Sequence, residues 1–307
     1  MDKDKVPVDK TRESFSTIYF LADLVYNKLL PLTEDVNFRM IKIAIIGGTG
    51  VYDPSMLTNL SEQTVATPYG DVSFKTGDYN GKTVAFIPRH GSKHSIPPHL
   101  INYRANIWAM KKIGVEHIIA TTAVGSLNRD MKPGDFVIVD QFLDFTKSRV
   151  TSFYEGAWRG VAHLDVTEPY CPYLRNVVKQ ASEELGISVH EKGTYVCTEG
   201  PRFESPAEIK MFEMLGGDLV GMTNIPESIL AREAEMCYST VSMVTNFAAG
   251  ISPTPLTHGE VVETMAQNAE NIKRLIMKTI DMIDISHTDC LCRKAMREYG
   301  GFRLEEE

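Results

Sequence analysis

"IKIAIIGGTG", residues 41–50, is a short apolar, β-branched run that stops abruptly on glycine. It reads as a strand whose end feeds a tight, glycine-rich loop. The pattern recurs downstream. "KTVAFIPRHG" (82–91) reads as a strand breaking at Pro88, and "EHIIATTAVGS" (116–126) and "DFVIVDQFLDF" (135–145) as strands. "INYRANIWAMKKIG" (101–114) is helical and stops at Gly114, and "YLRNVVKQASEELG" (173–186) is a helix stopped by Gly186. "SPAEIKMFEMLG" (205–216) opens a helix with Ser205 as N-cap, Pro206 in its first position and Glu208 closing a capping box. "DLVGM" (218–222) and "CYSTVSMVTNF" (237–247) read as strands flanking the helix "PESILAREAEM" (226–236). A long last helix follows, capped by Thr257 with Glu260. Such alternation predicts a single α/β domain with a central mostly parallel or mixed sheet flanked by helices. Ligands of such folds sit at the C-terminal ends of strands, where these apolar runs stop.

Residues 1–39 differ from the rest. They begin "MDKDKVPVDKTRE" and continue as a mixed helical stretch, with Met40 directly before the first strand. They are either a helical N-terminal extension or the product of a start site placed too far upstream. The domain itself is expected over 40–285, followed by a tail at 286–307 that carries "CLC", Cys290 and Cys292. Those two are either free thiols or part of a disulfide. No cysteine pair has C-x-x-C spacing. The 307 residues are 43% apolar and 23% charged, enough for a sizeable core, and the net charge of −8 gives no basic footprint for nucleic acid. The stretch "FSTIYFLADLVYNKLLPL" contains Asp23, Asn27 and Lys28 and cannot span a membrane. It has neither a basic start nor a small-residue cleavage site, so a cytoplasmic protein is expected.

The strand ends carry the chemistry. "GGTG" around Thr49 is either a tight turn or a nest of backbone amides suited to an oxyanion. It is no dinucleotide fingerprint, since Asp53 stands where the third glycine belongs, and no P-loop. Arg89 offers a fork for phosphate beside His90. His90, His94 and His99 suggest a metal, but Gly91, Pro97 and Pro98 forbid the helix that would align them, so no metal is expected. "TTAVGS" adds small and hydroxyl residues. Three strand ends rich in Thr, Gly or Arg and without a carboxylate point to a pocket for one free phosphate. No G-x-S-x-G elbow supports a nucleophilic triad. In "TEGPRFESPAE", Phe203 can stack on a flat ring with Glu204 as an acceptor beside it, unless the segment is simply a surface loop before a helix. "VTNFAAG" (244–250) ends its strand on Asn246, which is either a turn former or an amide that reads a ligand.

From residue 41 to 284 these motifs, together with "NYRANIWAMK", "PGDFVIVDQFLDFT" and "GMTNIPE", resemble in order and spacing the trimeric purine nucleoside phosphorylase and methylthioadenosine phosphorylase family. The resemblance implies phosphorolysis of a purine nucleoside to free base and ribose 1-phosphate, without metal or organic cofactor, in a homotrimer or a dimer of trimers. By motif, Thr49, Arg89, His90, Thr122, Ala123 and Thr223 resemble the phosphate site. Met222 resembles the residue meeting the ribose hydroxyls, and Phe203 the aromatic beside the base. His163 resembles a residue lent to the neighbouring subunit's sugar pocket. Asn246, Phe247 and Ala248 fall at the base site. Asn246, His90 and Glu204 are the expected catalytic residues.

The motifs resemble the methylthioadenosine branch most, yet four positions depart from it. That branch typically carries Asp where this chain has Asn246 and Ala248, Ser where it has Glu204, and an apolar residue where it has His258. Each departure is toward the 6-oxopurine enzymes. An ionised Glu204 can accept the N1 proton of hypoxanthine or guanine, which adenine lacks. Asn246 can donate to O6 and accept from a protonated N7. His258 resembles the histidine that bonds the ribose 5′-hydroxyl, or is an exposed first-turn residue. Inosine and guanosine are therefore the expected substrates, with S-methyl-5′-thioinosine or methylthioadenosine phosphorolysis as the alternative. The "CLC" tail resembles that of archaeal thermophilic members, which implies disulfide stabilisation.

Overall fold

The computed structural model describes residues 41–47, 57–91, 95–156, 159–252 and 257–304, with only the backbone of His258. The N-terminal extension, Thr49 and the His258 side chain lie outside the described residues. Among the described residues, eleven strands form one mixed sheet. They are β1 (Ile43–Gly47), β2 (Thr58–Val65), β3 (Val72–Tyr79), β4 (Lys82–Pro88), β5 (His117–Ser126), β6 (Phe136–Ile138), β7 (Gln141–Phe145), β8 (Val189–His190), β9 (Thr194–Thr198), β10 (Leu219–Gly221) and β11 (Cys237–Phe247). The helices are α1 (Tyr103–Lys112), α2 (Pro172–Leu185), α3 (Pro206–Met214), α4 (Glu227–Glu233) and α5 (His258–Met282). The expected caps form. Ser205 and Glu208 make a reciprocal box at α3, Thr257 accepts the Glu260 N–H at α5, and α2 ends on Gly186 at φ 64°.

The main path runs β2-β3-β4-β1-β5-β10-β9-β7, and β11 branches from β5 toward β6 and β8. The interior pairs β4–β1–β5–β11 are parallel, while β2–β3, β3–β4 and β5–β10 are antiparallel. Alternation along β11 puts helices on both faces. Cys237, Val241 and Met243 join the apolar cluster of α2 and α5. Tyr238 and Thr240 point the other way, to Glu227 of α4 and to Asn224.

Two features differ from the sequence reading. The run at 135–145 is two strands, β6 and β7, because the chain crosses over at Val139 and Asp140. β6 pairs with β11 and β7 with β9, and the Asp140 carboxylate accepts the Gly193 N–H at 2.9 Å. The hairpin β2–β3 carries no apolar signal in its first strand, where all but Gln63 and Val65 are exposed. No helix among the described residues is long and apolar enough to cross a membrane.

Candidate active site

β5 makes the site by having too few neighbours. Among the described residues it pairs with β1 only through Ala120 and with β10 only from Gly125, so Thr121, Thr122, Ala123 and Val124, paired with β11 on one edge, have no strand partner on the other. A cavity of about 200 Å³ occupies that gap, roofed by the start of α5. The strand ends of β4, β5, β10 and β11 all open into it.

Arg89 follows the last residue of β4 and is 2% exposed. Glu227 grips its guanidinium in a fork, with Nε and Nη2 each 2.7 Å from a carboxylate oxygen. Nη1 donates to the Thr121 carbonyl at 2.9 Å and Nη2 to that of Ile46 at 3.3 Å. Of its five N–H groups one, on Nη1, has no partner among the described residues. Burial alone would lower the Arg89 pKa, but the charge and hydrogen bonds of Glu227 outweigh it and hold the group above its ordinary value. Tyr238 donates to the same carboxylate at 2.7 Å, so one buried unit ties β4, α4 and β11. His90 donates from Nδ1 to the Ile96 carbonyl at 2.9 Å, since a carbonyl oxygen can only accept. Thr122 shares a 2.8 Å hydrogen bond with Ser242, and the buried Thr121 hydroxyl has no partner among the described residues. Ala123 and Thr223 also line the cavity.

Thr198 closes β9 and donates to Glu204 at 2.6 Å. Burial pushes the Glu204 carboxyl up, against the lowering effect of that hydrogen bond. Its loop is fixed from both sides. Arg202 makes a two-point bridge to Glu208. Arg149 donates to the carbonyls of Thr198, Glu199 and Ile225 at 3.1, 2.8 and 2.5 Å. Phe203 is 42% exposed at the mouth.

β11 carries a bulge at Thr245, so that Asn246 stands opposite Gly125. A Cβ on residue 125 would lie 3.3 Å from both Asn246 Nδ2 and Val220 Cγ1, so glycine gives the amide its room. The Asn246 Oδ1 accepts from the Thr245 hydroxyl at 2.8 Å, and Nδ2 donates to the Phe247 carbonyl at 2.9 Å. One amide hydrogen and one oxygen lone pair remain for a ligand. Met222 and Ala248 line the cavity beside it.

One cavity thus gathers Arg89, His90, Thr122, Ala123 and Thr223 together with Phe203, Glu204, Met222, Asn246 and Ala248. Phe247 is not in the lining, and His163 stands exposed elsewhere, its backbone N–H donating to the Tyr299 hydroxyl. Sequence reasoning missed Glu227 and Arg149. An acid in the first turn of a helix reads as a cap, and a lone Arg in a polar loop carries no signal. All five cysteines, the C-L-C pair included, are free thiols.

Residues 42–281 match the phosphorylase superfamily. A probable 6-oxopurine nucleoside phosphorylase of Dictyoglomus turgidum is 58% identical, over 84% of this chain and 98% of that relative. The 6-oxopurine nucleoside phosphorylase of Pyrococcus furiosus is 56% identical over 85% and 100%. The crystal structure of a methylthioadenosine phosphorylase from an antarctic soil metagenomic library superposes with a TM-score of 0.78 at 38% identity, covering 83% of this chain and 90% of that one. By sequence, by fold and by a cavity at the strand ends, the chain belongs to the phosphorylase superfamily.

Proposed function

We propose that the chain cleaves 6-oxopurine nucleosides with inorganic phosphate, releasing hypoxanthine or guanine and ribose 1-phosphate. The observation that carries this reading is that a buried Glu204 and the amide of Asn246 line the same cavity as Arg89. The amide and the carboxylate together complement O6, N7–H and N1–H of a 6-oxopurine, whereas adenine turns a bare N1 lone pair toward Glu204.

In this reading phosphate lies among the free Nη1 hydrogen of Arg89, His90, Thr122, the Ala123 backbone, Thr223 and Thr49. Glu227 fixes the plane of the guanidinium, so the donor is in place before phosphate arrives. A phosphate oxygen attacks C1′ as the bond from C1′ to N9 breaks. Positive charge on the ribose is stabilised by the phosphate beneath it, and the bonding electrons pass to the purine. As the purine leaves, N7 takes a proton from water; Asn246 accepts that N7–H through Oδ1 and donates to O6 through Nδ2, while Glu204 anchors N1–H. Met222 meets the ribose hydroxyls. The cavity needs no metal or organic cofactor for this chemistry.

His163, exposed and away from its own cavity, fits a residue lent to a neighbouring subunit. The assembly proposed is a homotrimer or a dimer of trimers, in the cytoplasm. One observation favours a second reading at the 5′ end. Val261, Val262 and Met265 present an apolar face of α5 to the cavity, which suits a 5′-methylthio group. The test is phosphate-dependent base release from inosine, guanosine, 5′-methylthioinosine and 5′-methylthioadenosine side by side. Faster release from inosine and guanosine supports the proposal. A clear preference for 5′-methylthioinosine moves the substrate to the second reading, and preference for 5′-methylthioadenosine overturns the base assignment.

A further inference from the structure

A second cluster of chemistry-bearing side chains lies at the far end of β11. Cys171, Cys237, Cys290 and Cys292 are all buried, and their sulfurs all lie within 4.8 Å of one another. Separate pieces of chain bring them together. Cys171 is the N-cap of α2, and Cys237 opens β11. The Cys171 N–H bonds the Tyr238 carbonyl at 2.8 Å, which keeps these two adjacent. Cys290 and Cys292 arrive from the tail. There the extended backbone at Cys290 (φ −140°, ψ 133°) lets both thiols turn inward while Leu291 between them is 65% exposed. The surroundings are the apolar core of α2 and α5. None of the four lines the cavity, and nine steps of strand at roughly 3.3 Å each separate Cys237 from Asn246.

Four converging thiols in a closed apolar pocket are the donor set of a structural tetrathiolate site with no open position. Metal–sulfur bonds of about 2.3 Å at tetrahedral angles place sulfurs about 3.8 Å apart. The Cys171 and Cys290 sulfurs are 3.4 Å apart, which together with the 4.8 Å outer limit brackets that value. A divalent ion with four thiolates carries net negative charge, and a cation stands beside it. Arg232 Nη1 is 3.8 Å from Cys292 Sγ, with Nε held by the Asp165 carbonyl at 2.6 Å. We propose that Cys171, Cys237, Cys290 and Cys292 bind one thiophilic divalent cation of the zinc class and so clamp the C-terminal tail to the domain. The clamp reaches further than the core. The tail's Tyr299 accepts the His163 N–H at 2.8 Å, and Phe302 packs on Trp108 and Phe153. Histidine spacing and C-x-x-C patterns give no hint of a site whose ligands come from three distant segments.

The test uses the full chain, purified under reductant and stripped with chelator, then titrated with cobalt(II) as the probe. The expected result is the visible ligand-field and near-ultraviolet sulfur-to-metal bands of a tetrahedral tetrathiolate, saturating at one ion per chain and displaced by zinc. Metal analysis of protein purified without chelator should show the same stoichiometry, and iron in place of zinc would support the same site while changing the ion. In the double variant Cys290→Ser, Cys292→Ser, cobalt affinity should fall by more than the roughly 100-fold that loss of an outer-sphere partner costs. Reduced wild-type protein that gives no thiolate–cobalt spectrum would overturn the proposal, whether its cysteines then pair as disulfides or stay free. A double variant that is folded and binds cobalt as tightly as wild type would overturn it too.

Discussion

Asn246 owes its place to one extra residue at Thr245 and to the missing side chain at Gly125. If it donates to O6, replacing it with a carboxylate should invert the preference at position 6. Asn246→Asp is expected to raise the adenosine-to-inosine ratio of kcat/KM by about tenfold or more, read from paired initial rates. An unchanged ratio would detach this amide from base choice. Glu204 must be ionised to accept N1–H, and its pKa is raised, chiefly by burial. Protonation removes the acceptor, so kcat/KM for inosine should fall as pH drops through a value above the ordinary 4.5. Glu204→Gln should abolish that acidic limb and lower kcat/KM for inosine by about 10²-fold or more, leaving the KM for phosphate near wild type. Persistence of the limb in the variant would assign it elsewhere. Most residues of the cavity were legible as Thr, Arg, Glu and Asn at the ends of apolar runs. Phe247 was not distinguishable, because strand alternation and a bulge decide which of two neighbours faces the ligand, and a bulge leaves no mark in the sequence.

β4, α4 and β11 meet through Arg89, Glu227 and Tyr238, a buried charge pair with a hydroxyl as third member. Removing one partner of such a pair leaves an uncompensated charge in the core. Glu227→Ala is expected to destabilise the chain by roughly 3–5 kcal/mol in denaturant unfolding. Glu227→Gln, which keeps the shape, should retain the fold but raise the KM for phosphate more than it lowers kcat, since the guanidinium loses its fork. A Glu227→Ala variant as stable as wild type would remove the pair from this role. The elements themselves were readable wherever caps and periodicity agreed, as at Ser205 and Glu208. They were not where local signal is weak. β2 is exposed along most of its length, and the turn that splits β6 from β7 is stabilised by Gly193, more than fifty residues away.

The whole molecule places its cavity where β5 loses one neighbour before gaining the next, a consequence of sheet order that no single segment encodes. His163 tests the assembly. Light scattering should report three or six chains, and His163→Ala should raise the nucleoside KM without changing subunit number. A fully active monomer would contradict a shared site. Whether Glu204 and Asn246 read a 6-oxopurine is decided by kcat/KM for inosine against adenosine on the wild-type enzyme at saturating phosphate. A preference for inosine of about 10²-fold or more is expected, toward the roughly 10⁴-fold that buried hydrogen-bonding groups can reach. Equal turnover of the two, or a preference for adenosine, would contradict it.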